Sequence, residues 1–219
     1  MPASLSAPRA ARACFAATAL AALIGLTIQI ALAASAEHGR FPTAAGRVFN
    51  VLCYFTIQSN VLVCVSCLLL AIRLERSSAA FAWLRMTGLV AIVVTGLVYY
   101  TVLADFSSVH GWRLVADVIV HGIVPVAAVA GWYMFGPRGL RAPHLVPLTL
   151  AFPACWLALT LIRGPIVDFY PYPFVDVDRH GYPVVLLNSA AIGALVLALA
   201  AAALRLDARL QRRAPQPSR

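Results

Sequence analysis

Residues 49–72 read FNVLCYFTIQSNVLVCVSCLLLAI, and no charged side chain interrupts them. Wound as a helix at about 1.5 Å per residue, the run is long enough to cross a hydrocarbon core of about 30 Å. Five further runs meet the same test, so candidate spans cover residues 14–35, 49–72, 86–104, 113–135, 144–162 and 183–204. The gaps between them are short, and none has room for a soluble domain. The pattern predicts an all-α fold: a polytopic membrane bundle of six transmembrane helices, forming one domain over residues 1–219.

Composition points the same way. Of the 219 residues, 62% are hydrophobic and 11% charged, and the mean hydropathy is +0.85. A soluble domain is nearer half apolar and a quarter charged, so these values exclude disorder and an ordinary soluble globule. All 17 basic residues are arginine, and lysine is absent. That removes retinal or pyridoxal Schiff bases, a phosphate-loop lysine and a lysine general base. A net charge of +9 would suggest nucleic acid in a soluble protein. Here the arginines fall mostly between apolar runs, where they orient the chain, so membrane lipids and not nucleic acid are the expected partners.

With the N-terminus inside, the inner side holds Arg9, Arg12, Arg73, Arg76, Arg85, Arg138, Arg141, Arg205, Arg209, Arg212, Arg213 and Arg219. The outer side holds Arg40, Arg47, Arg113, Arg163 and Arg179. Positive residues gather on the cytoplasmic side, so this bias predicts a cell-membrane protein with both termini cytoplasmic. Arg9 and Arg12 precede the first run and Ala33-Ala34-Ser35-Ala36 closes it, as in a secretory signal. The run is longer than the ~7–15 apolar residues of such signals, so an uncleaved anchor is expected. Residues 163–182 carry Gly164, Pro165, Pro171, Pro173 and Gly181 and read as a loop, and residues 205–219 as a frayed basic tail. Cys14, Cys53, Cys64, Cys67 and Cys155 all lie within apolar runs. The lone Cys64-x-x-Cys67 has no second pair and no nearby histidine, so packing is expected, with no metal and no cofactor.

Polar side chains at membrane depth are expensive, and their placement carries the functional information. Counted from the outer ends of their spans, Thr56, His121 and Asn188 all fall about 7–12 Å deep. Tyr99, Tyr100, Thr101 and Gln29 come near the same level. Together they describe a polar chamber in the outer half of the bundle. Asp117 precedes His121 by four residues and shares its helix face, where an acid fixes the imidazole in one tautomer. The pair serves equally as a buried clasp between helices. Thr56, Ser59 and Asn60 share another face at i, i+3 and i+4. A threonine in a membrane helix ordinarily bonds back to its i−4 carbonyl, here Leu52. A hydroxyl, an imidazole at matching depth and amide donors are also the parts of a nucleophilic hydrolase. Thr95-Gly96 reads as a small-residue packing site, and Pro125 as a kink that frees the carbonyl of His121. Arg163 at the outer mouth binds an anionic headgroup or simply snorkels.

Phe55-Thr56-Ile57-Gln58-Ser59-Asn60 resembles the FTxQSN signature of a six-span membrane family widespread in actinobacteria. Thr95-Gly96-Leu97-Val98-Tyr99, His121-x-x-x-Pro125, Phe135-Gly136-Pro137-Arg138 and Tyr170-Pro171-Tyr172-Pro173-Phe174 match it in order along the chain. That family is similar, more distantly, to the androgen-inducible integral membrane threonine hydrolases, which act on fatty acid esters of hydroxy fatty acids. The resemblance implies that Thr56 and His121 hold the nucleophile and base positions. The animal proteins lack the Gln-Ser-Asn continuation, and their histidine-to-proline spacing is one residue longer.

The expected activity is therefore an intramembrane Thr/His hydrolase of lipid or fatty-acid esters, open to the outer leaflet. Asp117 would support His121. Gln58, Ser59, Asn60 or Asn188 would stabilise the oxyanion, and Arg163, Tyr170 and Tyr172 would line the substrate entrance. The alternative is a non-enzymatic lipid-binding or small-solute transport protein that uses the same chamber. The repeats or interrupted helix pairs of many transporters are not apparent in the sequence.

Overall fold

The computed structural model describes residues 6–37, 39–103, 109–138 and 144–213. Among these, six helices are long and apolar enough to cross a membrane: Pro8–Ser35, Phe55–Ile72, Ala79–Leu103, Trp112–Phe135, Leu145–Val167 and Val177–Arg212. The elements are α1 (Ser6–Ser35), α2 (Ala44–Leu52), α3 (Phe55–Ile72), α4 (Ala79–Val98), α5 (Trp112–Val118), α6 (Val124–Phe135), α7 (Leu145–Leu148), α8 (Ala151–Val167) and α9 (Val177–Arg213). Five-residue π turns extend α4 (Tyr99–Leu103) and join α5 to α6 (Ile119–Ile123). The all-α six-span bundle expected from the sequence is the fold observed.

Boundaries differ where side chains outside the local run intervene. The second apolar run is two helices, not one. α2 starts at Thr43, whose hydroxyl accepts the Gly46 N–H, and the ladder breaks at Cys53 and Tyr54. The two carbonyls at the break are taken by side chains: Leu52 O accepts from Gln58 Nε2 and Cys53 O from Trp156 Nε1, at 3.1 and 2.9 Å. These bonds replace the orphaned helix-end partners and let α3 start afresh.

α4 begins well before residue 86, at an N-cap where Ser78 Oγ accepts from Phe81 N. Arg85 therefore lies inside a helix and not in an inner loop. It is 1% exposed, stacked on Phe15 with Nη1 3.4 Å from both Ser66 Oγ and Cys67 Sγ.

The expected loop over 163–182 is also shorter. Within an apolar layer the chain keeps its backbone bonds internal. α8 accordingly runs through Pro165 to Val167, and only residues 168–176 connect it to α9. α9 bends at Gly181 (φ 72°, ψ 158°), a conformation suited to glycine, and stays helical to Arg213 where a frayed tail was expected. Arg141, Arg219 and the predicted span end at Ala104 lie outside the described residues.

Two buried cores share α4. In one, Phe15 and Ala22 of α1 meet Val63 and Cys67 of α3, Ile92 of α4 and Val124 of α6. In the other, Phe55 of α3 and Val90 of α4 meet Trp156 of α8, Val185 and Val196 of α9, and Tyr172 of the last loop. Leu23, Leu68, Val126, Ile162 and Leu187 point outward, as a lipid-facing surface requires.

Arg47 closes the far end of α1. Its Nε and Nη2 donate to Ala33 O and Ala34 O at 2.9 and 3.0 Å, and Nη1 donates to Phe41 O and Pro42 O. One planar fork thus serves both a helix end and the turn that follows it. Arg47→Ala is expected to lower stability by about 1–3 kcal/mol in thermal unfolding in detergent. Arg47→Lys should recover little, because an ammonium cannot reproduce the fork.

Candidate active site

Thr56 is the second residue of α3, directly after the helix break. Its depth was expected from a continuous helix starting at Phe49, and the break sets it at a helix end instead. The expected bond back to Leu52 O does not form, because Leu52 lies across the break and its carbonyl serves Gln58. Thr56 Oγ1 instead lies 3.2 Å from His121 Nε2 and 3.2 Å from the Tyr172 hydroxyl. The Thr56 N–H, one of the donors left free at a helix start, donates to the same Tyr172 hydroxyl at 3.1 Å. Both Thr56 and His121 are 8% exposed.

His121 sits in the π turn between α5 and α6, the kind of local defect that often marks a functional site. The reason for the turn is legible locally. Val124 N bonds Ile119 O, five residues back, so in this register the next N–H would reach Val120 O. That next residue is Pro125, which has no N–H. The freed carbonyl therefore belongs to Val120, not to His121 as a regular helix would have it, and Asn60 Nδ2 donates to it at 3.1 Å. Gly96 allows α4 to come close on the other side: a Cβ there would lie 3.1 Å from His121 O.

The imidazole is held on three sides. Its Nδ1 is 3.3 Å from Asp117 Oδ1 and 3.2 Å from Asp117 O. The Tyr99 ring stacks on it, with centroids 3.9 Å apart and planes within 12°, while the Tyr99 hydroxyl donates to Asp117 Oδ2 at 2.5 Å. With both acceptors at Nδ1, the proton of a neutral ring belongs there. Nε2 is then a lone-pair acceptor aimed at the Thr56 hydroxyl. Thr56, His121 and Asp117 form one line from hydroxyl through imidazole to carboxylate.

The other expected site residues take different places. Ser59 Oγ is engaged by Thr56 O and Thr95 Oγ1, at 3.0 and 2.8 Å. Asn60 Nδ2 bonds Thr56 O and Val120 O. Both lie one helical turn beyond Thr56 and turn to its carbonyl, so they brace α3 against α4 and the π turn and offer nothing to an oxyanion. Gln58 faces away, to Leu52 O. Asn188 Nδ2 donates to Phe174 O at 3.0 Å and fastens the last loop to α9. Of the expected entrance residues, Arg163 donates to Asn50 Oδ1 at 2.8 Å and packs over the rings of Phe41 and Phe49, which ties α8 to α2. Tyr170 lies on Gly164, where a Cβ would collide with its ring.

Tyr172 is not at an entrance. It is 9% exposed, stacked on Phe174 (5.4 Å, 3°), with its hydroxyl on Thr56. Burial pushes its pKa up to about 12, so the hydroxyl stays protonated and able to donate. Tyr172 was expected at the substrate entrance and Tyr99 only at the level of the chamber; both lie directly against the Thr56–His121 pair.

Beside Thr56 lies a cavity of about 340 Å³ between α4, α8, α9 and the last loop. Thr56 and Tyr172 form part of its wall, and its remaining lining is almost wholly hydrocarbon and aromatic. No family model, curated protein or solved structure matches the chain.

Proposed function

We propose that the chain is an intramembrane hydrolase of lipid or fatty-acid esters, with Thr56 as nucleophile and His121 as general base. The observation that supports this best is the direct 3.2 Å contact from Thr56 Oγ1 to His121 Nε2, buried and backed by Asp117. An isolated threonine hydroxyl is too weak a nucleophile at neutral pH and needs such a base.

In this mechanism Thr56 Oγ1 attacks the ester carbonyl carbon as its proton passes to His121 Nε2. Asp117 balances the charge the ring takes on and holds it in place. The Tyr172 hydroxyl turns from Thr56 Oγ1 to the carbonyl oxygen as that oxygen becomes negative. Collapse breaks the bond to the alcohol, which leaves with the proton held on Nε2. Water then attacks the acyl-threonine, again losing a proton to His121, and release of the carboxylic acid restores Thr56.

Asn60 supports this geometry through the π turn. Asn60→Ala would leave Val120 O without its donor, at about 1–3 kcal/mol of stability. It should also lower turnover about tenfold or more, by letting His121 shift from Thr56. Activity and thermal midpoint measured on the same preparation test this.

We read the orientation from the arginines: both termini cytoplasmic, the Thr56 site toward the outer leaflet of the cell membrane. The burial of Arg85 removes one residue from the inner-side count and leaves its sign unchanged. A C-terminal reporter fusion active only outside the cytoplasm would reverse it.

The decisive experiment is labelling of the purified protein by a fluorophosphonate, with the modified peptide mapped. Label on Thr56 that disappears in His121→Ala is the expected result. A folded protein that binds lipid but never labels would instead be a non-enzymatic lipid-binding protein.

A further inference from the structure

We infer that the cavity beside Thr56 is a channel for one fatty acyl chain, open sideways to the bilayer between α8 and α9, and that Gly193 at its far end sets the chain length accepted. This deepens the ester-hydrolase reading of Thr56 and rests on it.

The cavity is chemically one-ended. Thr56 and Tyr172 supply hydroxyls at the end where an ester carbonyl would sit. The other hydroxyls in its wall are already engaged: Thr95 with Ser59 Oγ at 2.8 Å, and Ser189 with Val185 O at 2.7 Å. Among the described residues, no charged side chain lines it. A polar solute would lose its hydration and find no partners there, whereas a hydrocarbon chain loses nothing. A carbonyl at Thr56 with its chain extending away is the occupant that satisfies both ends.

The opening is lateral. Ala154 of α8 and Leu186 and Ala190 of α9 line the cavity and are also exposed on the outside of the bundle. Small side chains at 154 and 190 leave a slot between the two spans, so an acyl chain enters from lipid without passing through water.

Gly193 closes the far end. From Leu186 to Gly193 the lining covers about 10 Å of α9, the reach of an octanoyl chain. A Cβ at Gly193 would meet only Leu150 Cδ2, at 3.8 Å. A side chain is therefore accommodated there, and it shortens the channel.

Two arms test this. In the first, kcat/KM is measured on butyrate and octanoate esters for wild type and for Gly193→Ala, →Val and →Leu. The octanoate-to-butyrate ratio should fall stepwise, by about tenfold at leucine, the loss of two or more buried methylenes. Because the readout is a ratio, a variant that is only partly folded does not imitate the result. In the second, hydrolysis-dead Thr56→Ala protein in detergent is titrated calorimetrically with octanoate. Adding Gly193→Leu should weaken binding about tenfold. A constant ratio across the series, or octanoate binding indifferent to residue 193, overturns the channel. A wild type that hydrolyses no ester yet binds octanoate in a Gly193-dependent way overturns the Thr56–His121 chemistry and supports the channel.

Discussion

Thr56→Ala is expected to abolish ester hydrolysis and fluorophosphonate labelling while the bundle stays folded. Removing the nucleophile of a hydroxyl–imidazole pair lowers kcat by a factor on the order of 10⁴–10⁶. The structural cost is small. The Tyr172 hydroxyl keeps the bond from the residue 56 N–H, and the lost side-chain bonds are worth about 1 kcal/mol. Unchanged thermal unfolding alongside lost activity separates chemistry from stability. His121→Ala should be equally inactive, and the double variant no worse, because two residues that act as one unit do not add. Thr56→Ser keeps the hydroxyl and should retain activity. Asp117→Asn should be milder, since the backbone carbonyl of Asp117, at 3.2 Å, also holds the Nδ1 proton. Full turnover by Thr56→Ala would end the hydrolase assignment. Ser59 could not take over, because its hydroxyl is already engaged by Thr56 O and Thr95.

The number of spans and their helical type were legible because a chain in hydrocarbon has few choices. Every apolar run of spanning length must satisfy its own backbone, and a helix does so locally. The helix ends were not, because long-range side chains decide them. No glycine or proline marks the break at Cys53 and Tyr54; it is held by Trp156, more than a hundred residues further on. Arg85 looked like an inner-loop charge because apolar patterning cannot tell a solvated arginine from one stacked on Phe15 and held by Ser66 and Cys67. Pro165 looked like a loop residue, yet it sits in the last turns of α8.

In the site, matching depth was enough to pair Thr56 with His121, and the i+4 spacing was enough to join Asp117 to His121. Both inferences use distance along a helix, which sequence supplies. Rotation about the helix axis after a break or a π turn is not supplied, and there the expectations failed. Gln58, Ser59 and Asn60 were grouped with Thr56 by regular periodicity, yet their donors turn to backbone carbonyls. Tyr172 was assigned to the entrance because it lies in a Pro-rich loop. The short 3₁₀ turn at Pro173–Val175 and the bond from Asn188 to Phe174 fold that loop inward, over the start of α3.

Tyr172→Phe is therefore the second large effect expected, a fall in kcat of about 10²–10³, the usual result of removing one donor to a developing oxyanion. The ring should stay in place. Phenylalanine preserves the stack on Phe174 and the edge contact with Tyr54, at 5.4 and 5.6 Å between centroids. What is lost is one hydroxyl that is hydrogen-bonded to Thr56 Oγ1 at rest and donates to the carbonyl oxygen in the transition state. Such a bond is stronger in the transition state than in the ground state, so kcat and kcat/KM should fall together while KM barely moves. With the Tyr172 pKa pushed up to about 12 by burial, the donor is protonated throughout the range in which esters are assayed. The activity should accordingly show no loss from Tyr172 ionisation up to about pH 10. If Tyr172 only positioned Thr56, the loss would appear in fluorophosphonate labelling of a misplaced hydroxyl and in thermal stability, with kcat reduced no more than by Tyr54→Phe. Equal kcat for Tyr172→Phe and wild type would remove Tyr172 from the chemistry and leave the oxyanion to the backbone N–H groups at the start of α3, among them the Thr56 N–H that bonds Tyr172 at rest.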